Sequence, residues 1–236
     1  MNHLSVGLRD RDRVDNAIGG GFPEGSLVLL EGDTGTGKSV LASRFVYGLC
    51  TESTAVGVVS TEAPAREYVR QMHSLSYDVV DHLLGGLLTY FHAPTDRERD
   101  LLGPLLGHGA HWSARAVVVD GFGALCRNDA AFRPTLGTGD EDRAAERVVG
   151  RLEQALAAGK VVVLTVDPST LTERALRPVR SAADVYLELE SSVVGQEIQK
   201  QALVRRFAGM NRPVDDTISF SVQQGRGVVI ESRTVA

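Results

Sequence analysis

The sequence predicts an α/β fold in which a central, mostly parallel β-sheet is covered by helices on both faces. Short apolar runs rich in valine, which are typical of strands buried on both sides, alternate with segments of helical periodicity over the first two thirds of the chain. A glycine-rich turn joins the first of these strands to the first helix. In the last third, strands follow one another with only turn residues between them, which predicts a C-terminal antiparallel β-meander at the edge of the sheet.

Five strands are predicted in the parallel part of the sheet and four in the meander. Each of the first five is a short apolar run, and the last four are separated by glycine, proline and other turn residues. In chain order, the predicted strands are residues 27–31, 55–60, 87–91, 116–120, 161–166, 184–191, 198–207, 217–222 and 227–231.

Four helices are predicted between the strands, at residues 39–50, 63–75, 96–108 and 141–158. The last is the clearest, because its apolar residues fall on one helical stripe and Gly159 follows as a stop signal. The third is expected to be interrupted at Gly103-Pro104. Residues 127–140, between the fourth strand and the fourth helix, are polar, contain glycine and are long for a connection, so a mobile functional loop is expected there.

The composition is that of a soluble globular protein, since 43% of the 236 residues are hydrophobic and 23% are charged. These values exclude an intrinsically disordered chain, a collagen-like chain and a small disulfide scaffold. The net charge of −5 argues against a protein that mainly coats nucleic acid. The alternating charges of residues 9–13 are interpreted as a solvated face. We expect a single domain over residues 1–236, in which residues 1–25 lead into the sheet and residues 184–236 form the meander.

Neither a secretory signal nor a membrane-spanning helix is visible in the sequence. The N-terminus is polar and charged, and no apolar run reaches 18 residues.

One motif, GDTGTGKS, stands between the first strand and the first helix and matches the P-loop pattern GxxxxGK[ST]. In such a turn, glycines let the backbone curl around phosphate oxygens, successive N–H groups bind the anion, and the helix adds the positive end of its dipole. The lysine places its charge on the β- and γ-phosphates. We therefore expect ATP and Mg²⁺ as ligands. The predicted nucleotide-binding residues are Gly32, Asp33, Thr34, Gly35, Thr36, Gly37, Lys38, Ser39 and Val40.

A second acidic group is expected to hold the metal ion. Asp120 ends the apolar strand VVVD, which is the Walker B pattern, and its carboxylate would hold Mg²⁺ through water. The hydroxyl of Ser39 completes the predicted metal site. The alternative is an aspartate that ends a strand and caps the next turn.

Two further residues are candidates for catalysis. Glu62 follows the second strand and is the candidate activator of water; alternatively, it interacts with the dipole of the next helix. Thr165 ends the fifth strand and is the candidate sensor of the γ-phosphate, or simply a β-branched strand residue. In RecA-like P-loop proteins the catalytic carboxylate follows the strand next to the P-loop strand. In such proteins, additional strands also lie between the P-loop and the Walker B aspartate. The predicted strands between Ser39 and Asp120 in this sequence fit that arrangement.

The segments around these motifs resemble a known family. The lead-in to the P-loop, GGGFPEGS, resembles that of KaiC/RecA-like ATPase domains. The chain is similar to FlaH (ArlH), a family of single-domain, KaiC-like accessory proteins of the archaellum, in the segments EGDTGTGKSV, VVSTE, QMHSLSYDV, LTVDP and VRRFAG. These segments span nearly the whole chain. The resemblance implies a RecA/KaiC-like P-loop fold.

The resemblance also implies a role and partners. It implies an ATP-binding regulatory or assembly component of the archaellum, which is the motility organelle of archaea. Such a protein is cytoplasmic and peripherally associated with the membrane-bound motor, and it docks on the hexameric motor ATPase and on cytoplasmic scaffold ring proteins. ATP binding with slow or no hydrolysis is expected, and a homo-oligomeric ring is a further expectation. Nucleic acid is not an expected partner.

Three departures from the family pattern argue against efficient hydrolysis in a ring. Gly121 follows Asp120 at a position where a hydroxyl residue is usual, and Glu62 is followed by Ala63-Pro64 rather than Leu-Thr. Arg205 and Arg206 are adjacent, whereas KaiC proteins carry Lys-x-Arg fingers that reach the neighbouring subunit, and adjacent residues of a strand point to opposite faces. The alternative function is an active RecA/KaiC-like ATPase, in one version a DNA-recombination paralogue, whose phosphate release would depend on Glu62.

Overall fold

The computed structural model describes residues 2–194 and 197–231 of the chain. The strands of this part are β1 (His3–Leu4), β2 (Phe22–Pro23), β3 (Leu27–Gly32), β4 (Val56–Ser60), β5 (Leu88–His92), β6 (Ala116–Asp120), β7 (Val161–Val166), β8 (Val185–Val194), β9 (Glu197–Phe207), β10 (Thr217–Gln223) and β11 (Gly227–Ile230). The α-helices are α1 (Val14–Ala17), α2 (Lys38–Thr51), α3 (Ala65–Ser74), α4 (Val80–Leu84), α5 (Leu102–Leu106), α6 (Phe122–Asn128), α7 (Glu141–Ala157) and α8 (Glu173–Ala182).

Nine strands form one sheet in the order β11-β10-β9-β8-β3-β7-β6-β4-β5. The pairs from β8 through to β5 are parallel, and β8 to β11 continue the sheet as antiparallel neighbours. The predicted fold class, a mostly parallel sheet with an antiparallel meander at its edge, is confirmed. The meander strands reach residue 230, and residues 232–236 of the predicted meander segment lie outside the described part of the chain.

The two sides of each buried strand face different helices. Val28 and Leu30 of β3 belong to a core that α2 and α3 cover, whereas Leu27 and Leu29 belong to a second core, packed against α6, α7 and α8. Alternate residues of a strand point to opposite faces, so the continuous apolar run of β3 supplies both cores. Helices on both faces were predicted, and the structure has them.

The strand order confirms that another strand separates the P-loop strand from the strand that ends at Asp120, but it places the strand before Glu62 elsewhere than expected. β7 lies between β3, which leads into the P-loop, and β6, which ends at Asp120. The strand before Glu62 was expected next to the P-loop strand, which is wrong, because β7 and β6 lie between β3 and β4. The physical reason is that strand order is decided by how the crossover helices pack, which the local pattern does not encode.

The predicted helix at 96–108 is largely wrong, because only α5 forms there. The carboxylate of Asp100 accepts a hydrogen bond from the N–H of Gly103 at 2.7 Å, so the helix begins only at this point. Helix α8, which the sequence pattern did not reveal, contains Pro178 in its interior. Proline usually marks the end of a helix, which is why this amphipathic segment was not recognised.

The segment 127–140 was expected to be a mobile loop, but its first half is held by one buried carboxylate. Asp129 is 1% exposed. It accepts hydrogen bonds at 2.8–2.9 Å from the backbone N–H groups of Leu101, Leu102, Ala131 and Phe132. Asp129 therefore ties the end of α6 to the start of α5.

A buried ion pair attaches the N-terminal segment to the helix that follows the P-loop. The guanidinium of Arg44 on α2 pairs with Asp12, and the two side chains are 0% and 1% exposed. Arg44 also donates to the carbonyl oxygens of Val6 at 2.6 Å and Gly7 at 2.8 Å. The interpretation of residues 9–13 as a solvated face is therefore wrong for Asp12.

We predict that Arg44→Ala lowers the free energy of unfolding by about 3–5 kcal/mol, because it leaves the carboxylate of Asp12 buried without its partner. The matched control is Arg133→Ala, since Arg133 pairs with Glu98 and the two side chains are 56% and 44% exposed. The control should cost less than about 1 kcal/mol. Urea unfolding of both variants measures the difference, and equal losses would contradict the importance assigned to the buried pair.

Candidate nucleotide-binding site

The P-loop turn approaches the neighbouring strand too closely for any side chain at its first residue. β3 ends at Gly32, where a Cβ would lie 2.3 Å from the carbonyl oxygen of Leu189 on β8 and 2.9 Å from the hydroxyl of Thr36. At the other end of the turn, Gly37 has a φ of 102° and precedes the first residue of α2. Close approach and a left-handed backbone therefore explain why glycine is required at both ends.

Helix α2 begins inside the motif, at Lys38, and lacks a side-chain cap. Gly37 at the cap position provides no side-chain hydrogen bond to the first turn. The first N–H groups of a helix have no partner within it and lie at the positive end of the helix dipole. This end of α2 can therefore accept an anion such as a phosphate group.

Lys38 is held over the turn that precedes it. Its ammonium group donates to the carbonyl oxygens of Gly32 at 2.6 Å and Asp33 at 2.8 Å. Burial lowers the pKa of Lys38, and the nearby carboxylates of Asp167 and Asp120 act in the opposite direction. These two hydrogen bonds hold its amine against the backbone of the P-loop turn.

Three elements converge on the carboxylate of Asp120, which ends β6. The hydroxyl of Ser39 donates to it at 2.9 Å and that of Thr165 at 2.8 Å, while the N–H of Gly121 donates to the oxygen of Thr165 at 2.8 Å. Burial raises the pKa of Asp120 to about 6, although both hydroxyls act to lower it. The structure thus brings the two predicted metal ligands, Ser39 and Asp120, into direct contact.

Glu62 lies beside this cluster, at the exposed end of β4. The hydroxyl of Thr61 contacts a Glu62 carboxylate oxygen at 3.4 Å. Gly121, with a φ of 89°, makes room for both residues, because a Cβ there would lie 1.9 Å from the Thr61 hydroxyl and 3.0 Å from the Glu62 oxygen. The glycine after Asp120, noted as a departure from the family pattern, therefore has a steric reason.

A cavity of about 400 Å³ joins these groups. Eight of the predicted residues line it: Thr34, Gly35, Gly37, Lys38, Ser39, Val40, Glu62 and Thr165. Four others, Gly32, Asp33, Thr36 and Asp120, are not part of its wall. The wall also contains six residues that sequence reasoning missed: Gly121, Ala124, Asp167, Thr170, Lys200 and Val222.

Asp167 is the first missed residue with a clear contact. Its carboxylate accepts a hydrogen bond from the hydroxyl of Thr34 in the P-loop at 2.7 Å and bonds from Ser169 at 2.6 and 2.9 Å. Burial raises the pKa of Asp167, but these hydrogen bonds outweigh it and lower the pKa overall. Its position directly after the fifth predicted strand was the available signal, since site residues follow strand ends in such sheets.

Lys200 is the second residue of the cavity wall that was missed and that has a clear contact. It lies on β9 and its ammonium group contacts the carbonyl oxygen of Gly35. Only three lysines occur in the chain, and the structure places two of them at the P-loop. The scarcity of lysine was a signal for Lys200, whereas nothing in the sequence pointed to Val222.

Arg205 and Arg206 both bind within their own chain. The pairing of β8 with β9 shifts register here, since Tyr186 is opposite Arg206 and Leu187 is opposite Val204. Arg205 donates to the carboxylate of Glu188 at 2.5 Å. Arg206 donates to three backbone carbonyls at the end of α8, at 2.6–3.1 Å. Neither lines the nucleotide cavity.

The KaiC ATPase family model matches residues 12–170, which contain the P-loop, Glu62, Asp120 and Thr165. The chain belongs to the KaiC ATPase family. Two curated relatives are the archaeal flagellar ATP-binding proteins FlaH of Methanocaldococcus jannaschii and Methanococcus voltae. The first is 29% identical over 96% of this chain and 95% of its own length, and the second is 26% identical over the full length of both.

A solved structure agrees with these relatives. The crystal structure of the flagellar accessory protein FlaH from Methanocaldococcus jannaschii superposes with a TM-score of 0.88 at 28% identity, covering 98% of this chain and all of the other. The resemblance to FlaH is therefore confirmed. None of the helices that the structure describes is long and apolar enough to cross a membrane.

We predict that Asp120→Asn raises the free energy of unfolding at pH 8, in EDTA and without nucleotide, by about 1–3 kcal/mol. A carboxyl whose pKa rises from 3.8 to about 6 on folding opposes folding when it is charged. This cost is complete above the folded pKa and fades as the pH falls toward the unfolded pKa.

The gain should therefore be smaller at pH 5 than at pH 8, and urea unfolding at both values measures it. An equal effect at both pH values would show that the charge of Asp120 is not the cause.

Proposed function

We propose that this protein is an ATP-binding component of the archaellum machinery that docks on the motor ATPase in a nucleotide-dependent way, with slow or no hydrolysis. The observation that carries the proposal is the cavity lined by the P-loop, with Lys38 and Ser39 in its wall and Asp120 hydrogen-bonded to Ser39. The full-length similarity to FlaH proteins, which are described as archaeal flagellar ATP-binding proteins, supports the cellular setting.

In this proposal, different groups of residues bind the phosphates and the magnesium ion of Mg-ATP. The N–H groups of the P-loop and the start of α2 bind the phosphates, and Lys38 neutralises their charge. Ser39 and Asp120 would hold Mg²⁺, and their oxygens, one of them a buried carboxylate, are the type of ligand that this ion prefers. When bound, Mg²⁺ would supply further neutralisation of the phosphates.

Two contacts support binding rather than fast turnover. Thr165, the candidate sensor, already donates its hydroxyl to Asp120 and accepts from Gly121, so its first role is to position the metal-binding carboxylate. Glu62, the candidate activator of water, is exposed at the rim. We therefore infer that Glu62 holds the attacking water only loosely. Hydrolysis would then be slow.

A route from the nucleotide to the protein surface passes through Asp167. Its carboxylate joins Thr34 of the P-loop to the turn Pro168–Thr170, which leads directly into α8. A nucleotide that changes this contact would change the position of α8. Nucleotide can shift a docking equilibrium only through such a difference between the two states.

The proposed partners are the hexameric motor ATPase and the cytoplasmic scaffold ring proteins, at the cytoplasmic side of the membrane. Self-assembly into a homo-oligomeric ring is part of the same proposal. Nucleic acid is not a proposed partner, since the chain carries a net charge of −5.

The second candidate function is an active RecA/KaiC-like ATPase. In one version of this alternative, the protein is a DNA-recombination paralogue. Membership of an ATPase family and the place of Glu62 in the cavity wall favour it. Sustained Mg-dependent phosphate release that is lost in Glu62→Gln would support this function over the first. Stimulation of that release by DNA would support the recombination version.

We predict that Lys38→Ala abolishes ATP binding and binding to the archaellum motor ATPase together, because the phosphates lose their main cationic partner. Calorimetry with Mg-ATP and a pull-down with the motor ATPase of the same organism measure the two effects. Lys160→Ala is the control, since Lys160 donates to the carbonyl of Ala114 and does not line the cavity. Normal docking by Lys38→Ala would refute nucleotide gating.

Lys200→Ala should weaken Mg-ATP binding by about tenfold, because a second ammonium group is lost from the cavity wall. The hydrogen bond from Lys200 to the carbonyl oxygen of Gly35 is exposed, so its loss should change the thermal stability of the free protein little, and the main loss is expected in affinity. Calorimetry beside Lys160→Ala tests this. Unchanged affinity would mean that Lys200 lies outside the nucleotide contact.

A further inference from the structure

A second cavity, of about 350 Å³, lies beside α8 and is lined mainly by arginine. Its wall contains Arg174, Arg177 and Arg180 from the helix and Arg206 from β9, together with Glu173, Ser181 and Tyr186. It shares no wall residue with the nucleotide cavity. We call it the arginine pocket.

Two of its arginines are held by hydrogen bonds within the protein and form its base. Arg180 donates to the buried carboxylate of Glu31 at 2.8 Å and to Glu173 at 2.7 Å. The hydroxyl of Tyr186 donates to the same Glu31 at 3.0 Å. Arg206 donates to three backbone carbonyls at the end of α8. The base of the pocket is therefore preorganised.

The other two arginines lack close partners. Arg174 and Arg177 share a single carboxylate, that of Asp142, at 3.6 and 3.8 Å. Their side chains are 58% and 73% exposed. Within the residues that the structure describes, neither donates a hydrogen bond. Their guanidinium groups thus retain donors that an external anion can use.

The charges around the pocket decide what kind of anion fits. Its four arginines face four carboxylates, those of Glu31, Glu141, Asp142 and Glu173. The charges therefore balance, and the side chain of Glu173 is 78% exposed at the rim. A highly charged polyphosphate would be repelled by these carboxylates, whereas single carboxylates spaced along a peptide match two open guanidinium groups.

We propose that the arginine pocket binds an acidic segment of a protein partner, whose carboxylates pair with Arg174 and Arg177. This inference rests on the proposed function, because it names the surface on which a partner docks. The pocket is connected to the nucleotide site at two points. Glu31 directly precedes Gly32 of the P-loop, and Thr170 of the nucleotide cavity lies three residues before α8 begins.

The test uses a fluorescein-labelled peptide, in which single glutamates are separated by glycine and serine, and fluorescence anisotropy at low salt. The pocket variant is Arg174→Glu/Arg177→Glu, with Arg174→Gln/Arg177→Gln as a milder second variant should charge reversal prevent folding. The matched control is Arg147→Glu/Arg151→Glu, which reverses two exposed arginines on α7. Calorimetry with Mg-ATP is carried out on the wild type and on each folded variant.

We expect the wild-type protein to bind the peptide and the pocket variant to bind it about tenfold more weakly, with the control unchanged. Absence of wild-type binding, or equal loss in pocket variant and control, would overturn the inference. Tighter binding of hexathymidylate through the same arginines would also overturn it. If the wild type failed to bind Mg-ATP, the proposed function would fail while the peptide titration still decided the pocket.

Discussion

The site depends on one buried carboxylate at the meeting point of three elements. Asp120 ends β6, and it accepts hydroxyl groups from Ser39 at the start of α2 and from Thr165 on β7. These bonds connect the start of α2 to the ends of the neighbouring strands β6 and β7. Burial makes the charged form costly, as the raised pKa of Asp120 indicates. The arrangement therefore retains a destabilising charge where a cation can neutralise it.

Two ion pairs, each with a buried carboxylate, hold the segments on either side of the P-loop in place. Arg44 on α2 joins this helix to the N-terminal segment through Asp12, and Glu31 at the end of β3 is joined to α8 through Arg180. Each pair connects segments that are distant in sequence. The P-loop turn lies between these two fixed segments, as a preorganised anion-binding site would require.

The region around α8 connects the nucleotide cavity with the outer surface of the protein. Asp167 links the P-loop to the turn before α8, and Arg206 of the meander caps the end of the same helix. The meander thereby contributes Lys200 to one cavity and Arg206 to the other. An edge that seemed a simple extension of the sheet takes part in both.

The sequence by itself determined the sheet-forming segments, the P-loop and the Walker B aspartate, because these depend on local signals: apolar periodicity, glycine spacing and a strand-ending carboxylate. Only the tertiary structure decided the strand order, the burial of Asp12 with Arg44, and the places of Asp167 and Lys200 at the cavity. The physical reason is that these features arise from contacts between residues far apart in the chain. The strength of these contacts depends on burial and on the distance between the groups, and the local sequence pattern determines neither.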